Sequence, residues 1–352
     1  MKGMSKKNST FVTRHRCLFG LMTYDCNFLM RKLFLNIRWC LLYIVSLLPL
    51  RFLYLLSDIA TFVFRYLIRY RSSVIYTNLA RSFPELKYGE IKRMAGEYYR
   101  YMSDIMLESI WAMSASPKRI CKVVSVENRE AIADIAARHN IVLTVMGHSG
   151  NWEMIGAMFG DPASRQNDNF SNGKYALAYK QPHGGSADSI MKMMRMHQFK
   201  KFKKEGGVVE SGRIMRHIIA NRNETILYTL IADQNPVGKD KMIAKFLNQP
   251  TAMLGGPEYI ATKLNLPVVF MHIFRVKRGR YSIRFTTLAE NPSLLGEGEI
   301  TRRYARLLEE SINENRYNWL WSHKRWKREL DEHEIEVYNA ILLSQLKGGD
   351  KL

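Results

Sequence analysis

The chain is short of negative charge and short of cysteine. Against 53 lysines and arginines it sets 32 aspartates and glutamates, a formal balance of +21 over 352 residues. Such a surface calls for an anionic partner: nucleic acid, a lipid headgroup surface or an acidic carrier protein. Its four cysteines, Cys17, Cys26, Cys40 and Cys121, form no CxxC pair and no zinc-like spacing. A reducing compartment and no structural metal follow. HExxH and P-loop patterns are missing, so no metal or nucleotide site is read and no cofactor is expected. The aromatic spacing and zinc patterns of common nucleic-acid folds are missing too, which argues against a nucleic-acid partner. There is no internal repeat and no low-complexity tract.

A cleavable leader is not expected either. Residues 1–38 are basic, with Lys2, Lys6, Lys7, Arg14, Arg16, Arg31, Lys32 and Arg38 against one acid, Asp25, yet no small-residue cleavage site follows. Secretion is therefore not expected. Met22 and Met30 stand close to the next segment, so the first stretch is read as dispensable or as an upstream misreading of the start. From 39 to 64 the chain is apolar except for Arg51 and Asp58, with Pro49 near the middle. A spanning helix needs about 20 apolar residues, and the run before Arg51 is shorter. Spanning, re-entrant and interfacial placements stay open, beside a buried helix pair in a soluble fold. Arg65, Arg69 and Arg71 make the far flank basic as well, so charge chooses no orientation.

What is there is a sizeable apolar fraction, 47%, arranged in alternation. Residues 74–114 read as helices around the turn Phe83-Pro84-Glu85, and 132–138 as a short helix. Strands are expected at 141–146, 175–179, 208–209, 225–232, 267–275 and 281–288, and helices at 187–204, 214–220, 255–264 and 300–313. The fold class is α/β: a mixed, largely parallel sheet flanked by helices, with an N-terminal hydrophobic membrane-associated helical segment. The chain divides into a basic extension (1–38), a membrane-associated region (39–70), the main domain (71–330) and a C-terminal helix or tail (331–352). The polar segment 161–174 is the expected mobile loop.

Ligands of such a sheet bind at the carboxyl ends of its strands, where His148, Lys180 and Asp233 fall. The stretch IVLTVMGHSGNWE, 141–153, is the centre of the reading. A buried strand is broken by Gly147, and helical spacing resumes at Met154, so His148 occupies a strand-to-helix turn with Glu153 in the helix's first turn. An imidazole oriented by a carboxylate deprotonates an alcohol, and free N–H groups at the helix start, from Ser149 to Trp152, stabilise an oxyanion. Spacing alone decides nothing. Chance supplies roughly 0.8 such His-x4-acid pairs in a chain of this composition, and a second one, His183 with Asp188, exists.

HSGNWE, with NLARSFPE (78–85), ADQNP (232–236), FLNQPTAMLGGP (246–257) and WLWSHKRWK (319–327), resembles the bacterial late acyltransferases of lipid A biosynthesis, within the lysophospholipid acyltransferase superfamily. The likeness runs from about 47 to 327. It implies an α/β acyltransferase domain at the cytoplasmic face of the inner membrane. The reaction implied moves an acyl chain from acyl carrier protein to the hydroxyl of a 3-hydroxyacyl chain on a phosphorylated lipid A precursor. It further implies His148 as general base and Glu153 as its orienting carboxylate. Asp233, in the DQ segment with Gln234, is expected to orient active-site groups or substrate, against the local alternative of a turn cap. Asn151, Trp152, Arg275, His323, Arg325 and Lys327 complete the supporting set. Lys180 stands where the family often has arginine, a point charge in place of a two-pronged contact.

Lys200, Lys201, Lys203 and Lys204, and the basic run from His323 to Arg328, are candidates for holding anionic substrates, or plain solvated faces. Trp319, Trp321 and Trp326 read equally as an interface belt or as core. Chain length is expected to depend on how Met154, Met158 and Phe159 pack. Three other readings are carried. VMGHSGN is one residue from the G-x-S-x-G nucleophile elbow, with Ser149 as nucleophile and His272 or His323 as base, though Asn151 crowds the fifth position. A basic membrane- or nucleic-acid-binding module is the second, and an acyltransferase on another glycerolipid, aminolipid or glycolipid is the third.

Overall fold

The computed structural model describes Met30 and residues 33–159, 173–179, 186–202, 206–236 and 241–347. Lys180, His183, Lys203, Lys204 and residues 161–172 of the polar loop lie outside the described residues.

Two apolar helices come first, α1 (Leu33–Ser46) and α2 (Leu50–Phe62), bent by 115° across a break that holds Pro49. A π-helical turn, Val63–Leu67, continues α2. Among the described residues no single helix is long and apolar enough to cross a membrane, although this bent pair passes by length and composition. Its outer face is apolar: Leu41, Ile44, Leu47, Phe52, Leu55, Ile59 and Phe62 are all exposed. Its inner face is held by polar bonds, Ser57 Oγ donating to Asp104 at 2.6 Å and Tyr54 Oη to Glu108 at 2.9 Å. Both acids belong to α4 (Tyr88–Ser114), which follows α3 (Ser72–Ser82) after the expected Phe83-Pro84 turn.

The short α5 (Pro117–Ile120), β1 (Val124–Val126) and α6 (Arg129–Arg138) lead to β2 (Ile141–Met146). All six β2 residues are buried, the signature of a strand covered on both faces. Their side chains alternate: Ile141, Leu143 and Val145 join one core cluster, Val142 and Met146 the other. After a 3-10 helix, Trp152–Phe159, come β3 (Lys174–Tyr179), α7 (Ser186–Lys201), β4 (Gly206–Glu210), α8 (Ile214–Ala220) and β5 (Ile226–Ile231). A hairpin, β6 (Lys241–Phe246) and β7 (Gln249–Leu254), stands apart from the main sheet. Then follow α9 (Gly256–Leu264), β8 (Val268–Lys277), β9 (Arg280–Ala289), α10 (Glu299–Glu314) and α11 (Glu332–Lys347).

The main sheet has seven strands in the order β1-β9-β8-β2-β5-β3-β4. Its pairs are parallel except for β8 with β9, so it is the mixed, largely parallel, helix-flanked sheet that the alternation implies. On one face α10 buries Ile300, Tyr304, Leu308 and Ile312, four positions a helical turn apart. Trp319 and Trp321 are core, 1% and 0% exposed, and each such ring contributes about 5 kcal/mol of apolar burial. The half-buried Trp326 donates its indole N–H to Thr251 at 2.9 Å.

Candidate active site

The register of two central strands builds the site. Met146 of β2 lies beside Ile231 of β5, the last residue of each strand. His148 and Asp233 each come two residues later, so the parallel pairing brings them side by side at the carboxyl edge although 85 residues separate them. Asp233 Oδ1 meets His148 Nδ1 at 2.6 Å. Its Oδ2 accepts the backbone N–H of His148 and the indole N–H of Trp319, both at 2.7 Å. Burial alone would raise the Asp233 carboxyl, but the His148 ring and these donors outweigh it and hold it down to about 2. An ionised Asp233 makes Nδ1 the protonated ring nitrogen, leaving Nε2 as the acceptor; Gln234 Nε2 lies 3.3 Å from it.

The turn that carries His148 is pinned on all sides. A Cβ at Gly147 would stand 2.6 Å from Leu308 and 3.2 Å from Asp233 Oδ2, so the strand end approaches the acid closely only with glycine. Gly150 adopts φ +57°, with the Ile273 carbonyl oxygen 2.6 Å from where a Cβ would be. Its N–H donates to Asn318 Oδ1 at 3.2 Å, and its carbonyl accepts Tyr101 Oη–H at 2.6 Å. Asn151 Nδ2 donates to Glu108 at 3.0 Å. The Trp152 ring meets the His148 ring edge-on, centroids 5.2 Å apart.

Glu153 does not orient His148. Its carboxylate accepts both prongs of Arg195, at 2.8 and 2.5 Å, and the Trp152 indole N–H at 3.0 Å. The reason is local: the segment after Trp152 is a 3-10 helix, and it directs Glu153 toward α7 while the sheet register delivers Asp233 to the ring. The expected position-five carboxylate is replaced by one from the neighbouring strand.

His148, Trp152, Glu153 and Arg195 line a cleft of about 520 Å³. Its remaining walls are mostly apolar: Met102, Ile105, Met106 and Ile110 of α4, Ile190, Met191 and Met194 of α7, and Leu42 of α1. Tyr70, Tyr98 and Ser322 also border it. A base facing an apolar trough suits the attack of a hydroxyl on a carbon carrying a long aliphatic chain. Residues 25–328 match the family of bacterial lipid A biosynthesis acyltransferases. The chain belongs to that family. A comparison with curated proteins returns no match.

As a lipid A biosynthesis acyltransferase the protein is an enzyme of acyl transfer, with a lipid A precursor as the acceptor class. Its other sequence candidates divide. His323 sits beside the dyad, its Nε2 accepting the Asn235 N–H at 3.3 Å, and burial together with nearby cationic groups pushes it down to about 4 against the pull of Asp233. Arg275 does not line the cleft: it is buried on Asp104, 2.5 Å away. Arg325 is equally buried, donating to the Ala252 carbonyl of the hairpin at 2.6 Å. Both serve the frame because the strand and hairpin backbones cover them. Lys327 and Lys200 are exposed, and Lys201 gives its three protons to the Ala112, Met113 and Ala115 carbonyls at the end of α4, each at 2.7 Å. Met154, Met158 and Phe159 are packed in the core and do not border the cleft; the methionines that line it come from α4 and α7 instead.

The elbow reading fails on backbone geometry. A nucleophile elbow strains the nucleophile itself, whereas here the left-handed residue is Gly150, and Ser149 is 3% exposed in a β-bridge with Trp319. His272 lies buried in β8 between Phe270 and Phe274. Sequence reading missed Arg195, whose signal was an arginine on the same helical face as Ile190, Met191 and Met194. It also missed Glu108, Tyr101 and Asn318, which carry no local signal.

Among the described residues no group of three or more His, Cys, Asp or Glu could hold a metal ion.

Proposed function

We propose that this acyltransferase performs a late, secondary acylation, moving a fatty acyl chain from acyl carrier protein thioester to the hydroxyl of a 3-hydroxyacyl chain on a phosphorylated lipid A precursor. The observation that carries the reading is the Asp233–His148 dyad opening onto the apolar cleft. His148 Nε2 takes the acceptor's hydroxyl proton as the alkoxide oxygen bonds to the thioester carbon. Asp233 balances the imidazolium that forms. The N–H groups of Asn151 and Trp152, which have no partner among the described residues, are the donors this reading assigns to the oxyanion. Collapse of the tetrahedral adduct breaks the carbon–sulfur bond, and the thiolate recovers the proton from His148. Ester and free thiol result.

The exposed apolar face of α1 and α2 rests in the cytoplasmic leaflet of the inner membrane in this reading, with Leu42 placing the cleft at the lipid surface. Arg69 and Arg71 flank Tyr70 at the cleft, both in left-handed backbone. They favour the phosphates of the acceptor, while the overall positive charge attracts an acidic carrier protein. The deciding assay is transfer by purified protein in detergent, from labelled acyl carrier protein thioesters to a tetra-acylated precursor, beside His148→Ala and Ser149→Ala. Product from wild type and Ser149→Ala, but none from His148→Ala, is expected. Label released only as free fatty acid, and lost in Ser149→Ala, would return the hydrolase reading; turnover only with another acceptor lipid would overturn the lipid A assignment of this step.

A further inference from the structure

A buried carboxylate the chemistry does not use lies behind the catalytic turn. Glu108 of α4 is 1% exposed and receives three donors from three separate elements. Tyr54 of α2 reaches Oε1 at 2.9 Å, Tyr281 of β9 reaches Oε2 at 2.6 Å, and Asn151 of the turn reaches Oε2 at 3.0 Å. Burial pushes the carboxyl upward, with the three donors and Arg275 opposing. Around it, Asp104 collects Ser57 of α2, Arg275 of β8, and Arg278 from the β8–β9 turn, and Arg278 also pairs with Asp58 of α2. The polar stripe of the apolar arm is thus wired to the sheet and to the turn of His148 through α4.

We propose that Glu108 is a positioning residue of the transferase: it holds Asn151, and with it the His148 turn, in register with the seated α2 helix. The proposal rests on His148 as the base. Gly150 is already fixed by Tyr101 and Asn318, which set its backbone, and Asp233 holds the His148 N–H; among the described residues Glu108 is the carboxylate that ties this turn to α2. A buried carboxylate with three donors in place has a rigid geometry, and removing one donor leaves an acceptor without its partner. The arm is therefore part of the catalytic geometry as well as a wall of the cleft. Seating α2 orders the base; a displaced α2 withdraws Tyr54 and loosens Asn151.

The test is a role exchange. Asn151→Asp sets a second carboxylate against Glu108, where the wild type has a donor; adding Glu108→Gln returns a donor–acceptor pair with the roles reversed. Two carboxyls in contact hold one proton between them, which supplies a donor until the pH passes the raised pKa; as the pH rises beyond about 8 the kcat of Asn151→Asp is expected to fall at least about tenfold below wild type, and the double variant to keep most of it. KM for the thioester stays near wild type. Tyr54→Phe, which keeps the ring and removes only the donor, lowers kcat a few-fold and the melting temperature by a few degrees. The Nδ1-bound proton of His148 in nitrogen-15-labelled protein reports the same displacement without turnover: it shifts in Asn151→Asp and returns in the double variant. A double variant no better than Asn151→Asp by both readouts, or a Tyr54→Phe enzyme with unchanged kcat, would overturn the proposal. Absence of transfer in wild type with the His148 signal behaving as expected would instead count against the assigned reaction.

Discussion

Exchanging Asp233 for asparagine separates the two carboxylates that compete for the role of orienting His148. Asp233 accepts three hydrogen bonds, from His148 N–H, His148 Nδ1–H and the Trp319 indole. Asparagine has one acceptor oxygen. If that oxygen keeps the two donors on the Oδ2 side, its amide nitrogen faces Nδ1 and donates to it, moving the ring proton to Nε2 and abolishing the base. In hydrolase triads the same tautomer error costs roughly 10⁴-fold in kcat, about 5 kcal/mol. A loss of 10³-fold or more is therefore expected for Asp233→Asn, with the protein still folded. Glu153→Gln keeps the Trp152 bond and one prong of Arg195. It should lower stability by about 1 to 3 kcal/mol and kcat by no more than about tenfold. The assay is single-turnover acyl transfer with saturating thioester, normalised to folded protein by melting curves. A Glu153→Gln enzyme that is dead beside an Asp233→Asn enzyme of near wild-type rate would refute the reasoning.

Three further outcomes follow from the same structure. Burial and Arg284 push His272 down to about 4, so it is neutral when folded, while the unfolded chain takes up the proton near its ordinary 6.5; stability is therefore unaffected above that value and lost as pH falls toward 4, by up to about 3 kcal/mol. Urea unfolding of wild type and His272→Phe should diverge with falling pH, and a pH-independent difference would show that the histidine does not titrate this way. Ile110 stands eight residues beyond Met102 on the cleft-facing stripe of α4, about 12 Å along the helix, so Ile110→Trp should cut transfer of the longest accepted acyl chains by about tenfold per excluded methylene. Shorter donors should be spared, and competition between thioesters of different length measures the ratio. Arg69→Gln should raise KM for a phosphorylated acceptor several-fold and leave kcat nearly unchanged, whereas an equal effect on a dephosphorylated acceptor would remove the phosphate contact.

Much of the fold was legible because its signals are local. The 141–146 run, the helix at 214–220 and the strands at 226–231 and 268–277 announce themselves by apolar runs and period. The β6–β7 hairpin did not. Its two-residue turn is Leu247-Asn248, both at positive φ (50° and 59°), where glycine or Asn-Gly would have signalled it. The left-handed leucine persists because its neighbours hold it: its side chain is 1% exposed and its N–H donates to Glu309 at 2.8 Å. β1 is three residues long and reads as loop for want of length. At the site, His148 was legible as the residue after a strand-breaking glycine, and Asp233 as an acid at the end of another strand.

What sequence spacing could not give was the pairing between them. A His-x4-acid pattern is a statement about one segment, and it presumes that the segment is helical enough to fold the acid back on the ring. Here the segment tightens to a 3-10 helix, and Glu153 turns to Arg195. A parallel sheet supplies the alternative without any local signature: equal offsets from paired strand ends put two side chains at one edge whatever lies between them in sequence. The same logic extends to Trp319, which is bridged to Ser149 and donates to Asp233 from 86 residues away. Trp319→Phe keeps an aromatic ring in the core but removes that donor together with the indole's second ring, so the loss of rate is normalised to folded protein. It should therefore raise the Asp233 carboxyl and free it to rotate away from Nδ1, lowering kcat by about tenfold through lost positioning, while His148→Ala in the same background shows no further dependence on residue 319. Additive losses in that cycle would place Trp319 outside the dyad's network.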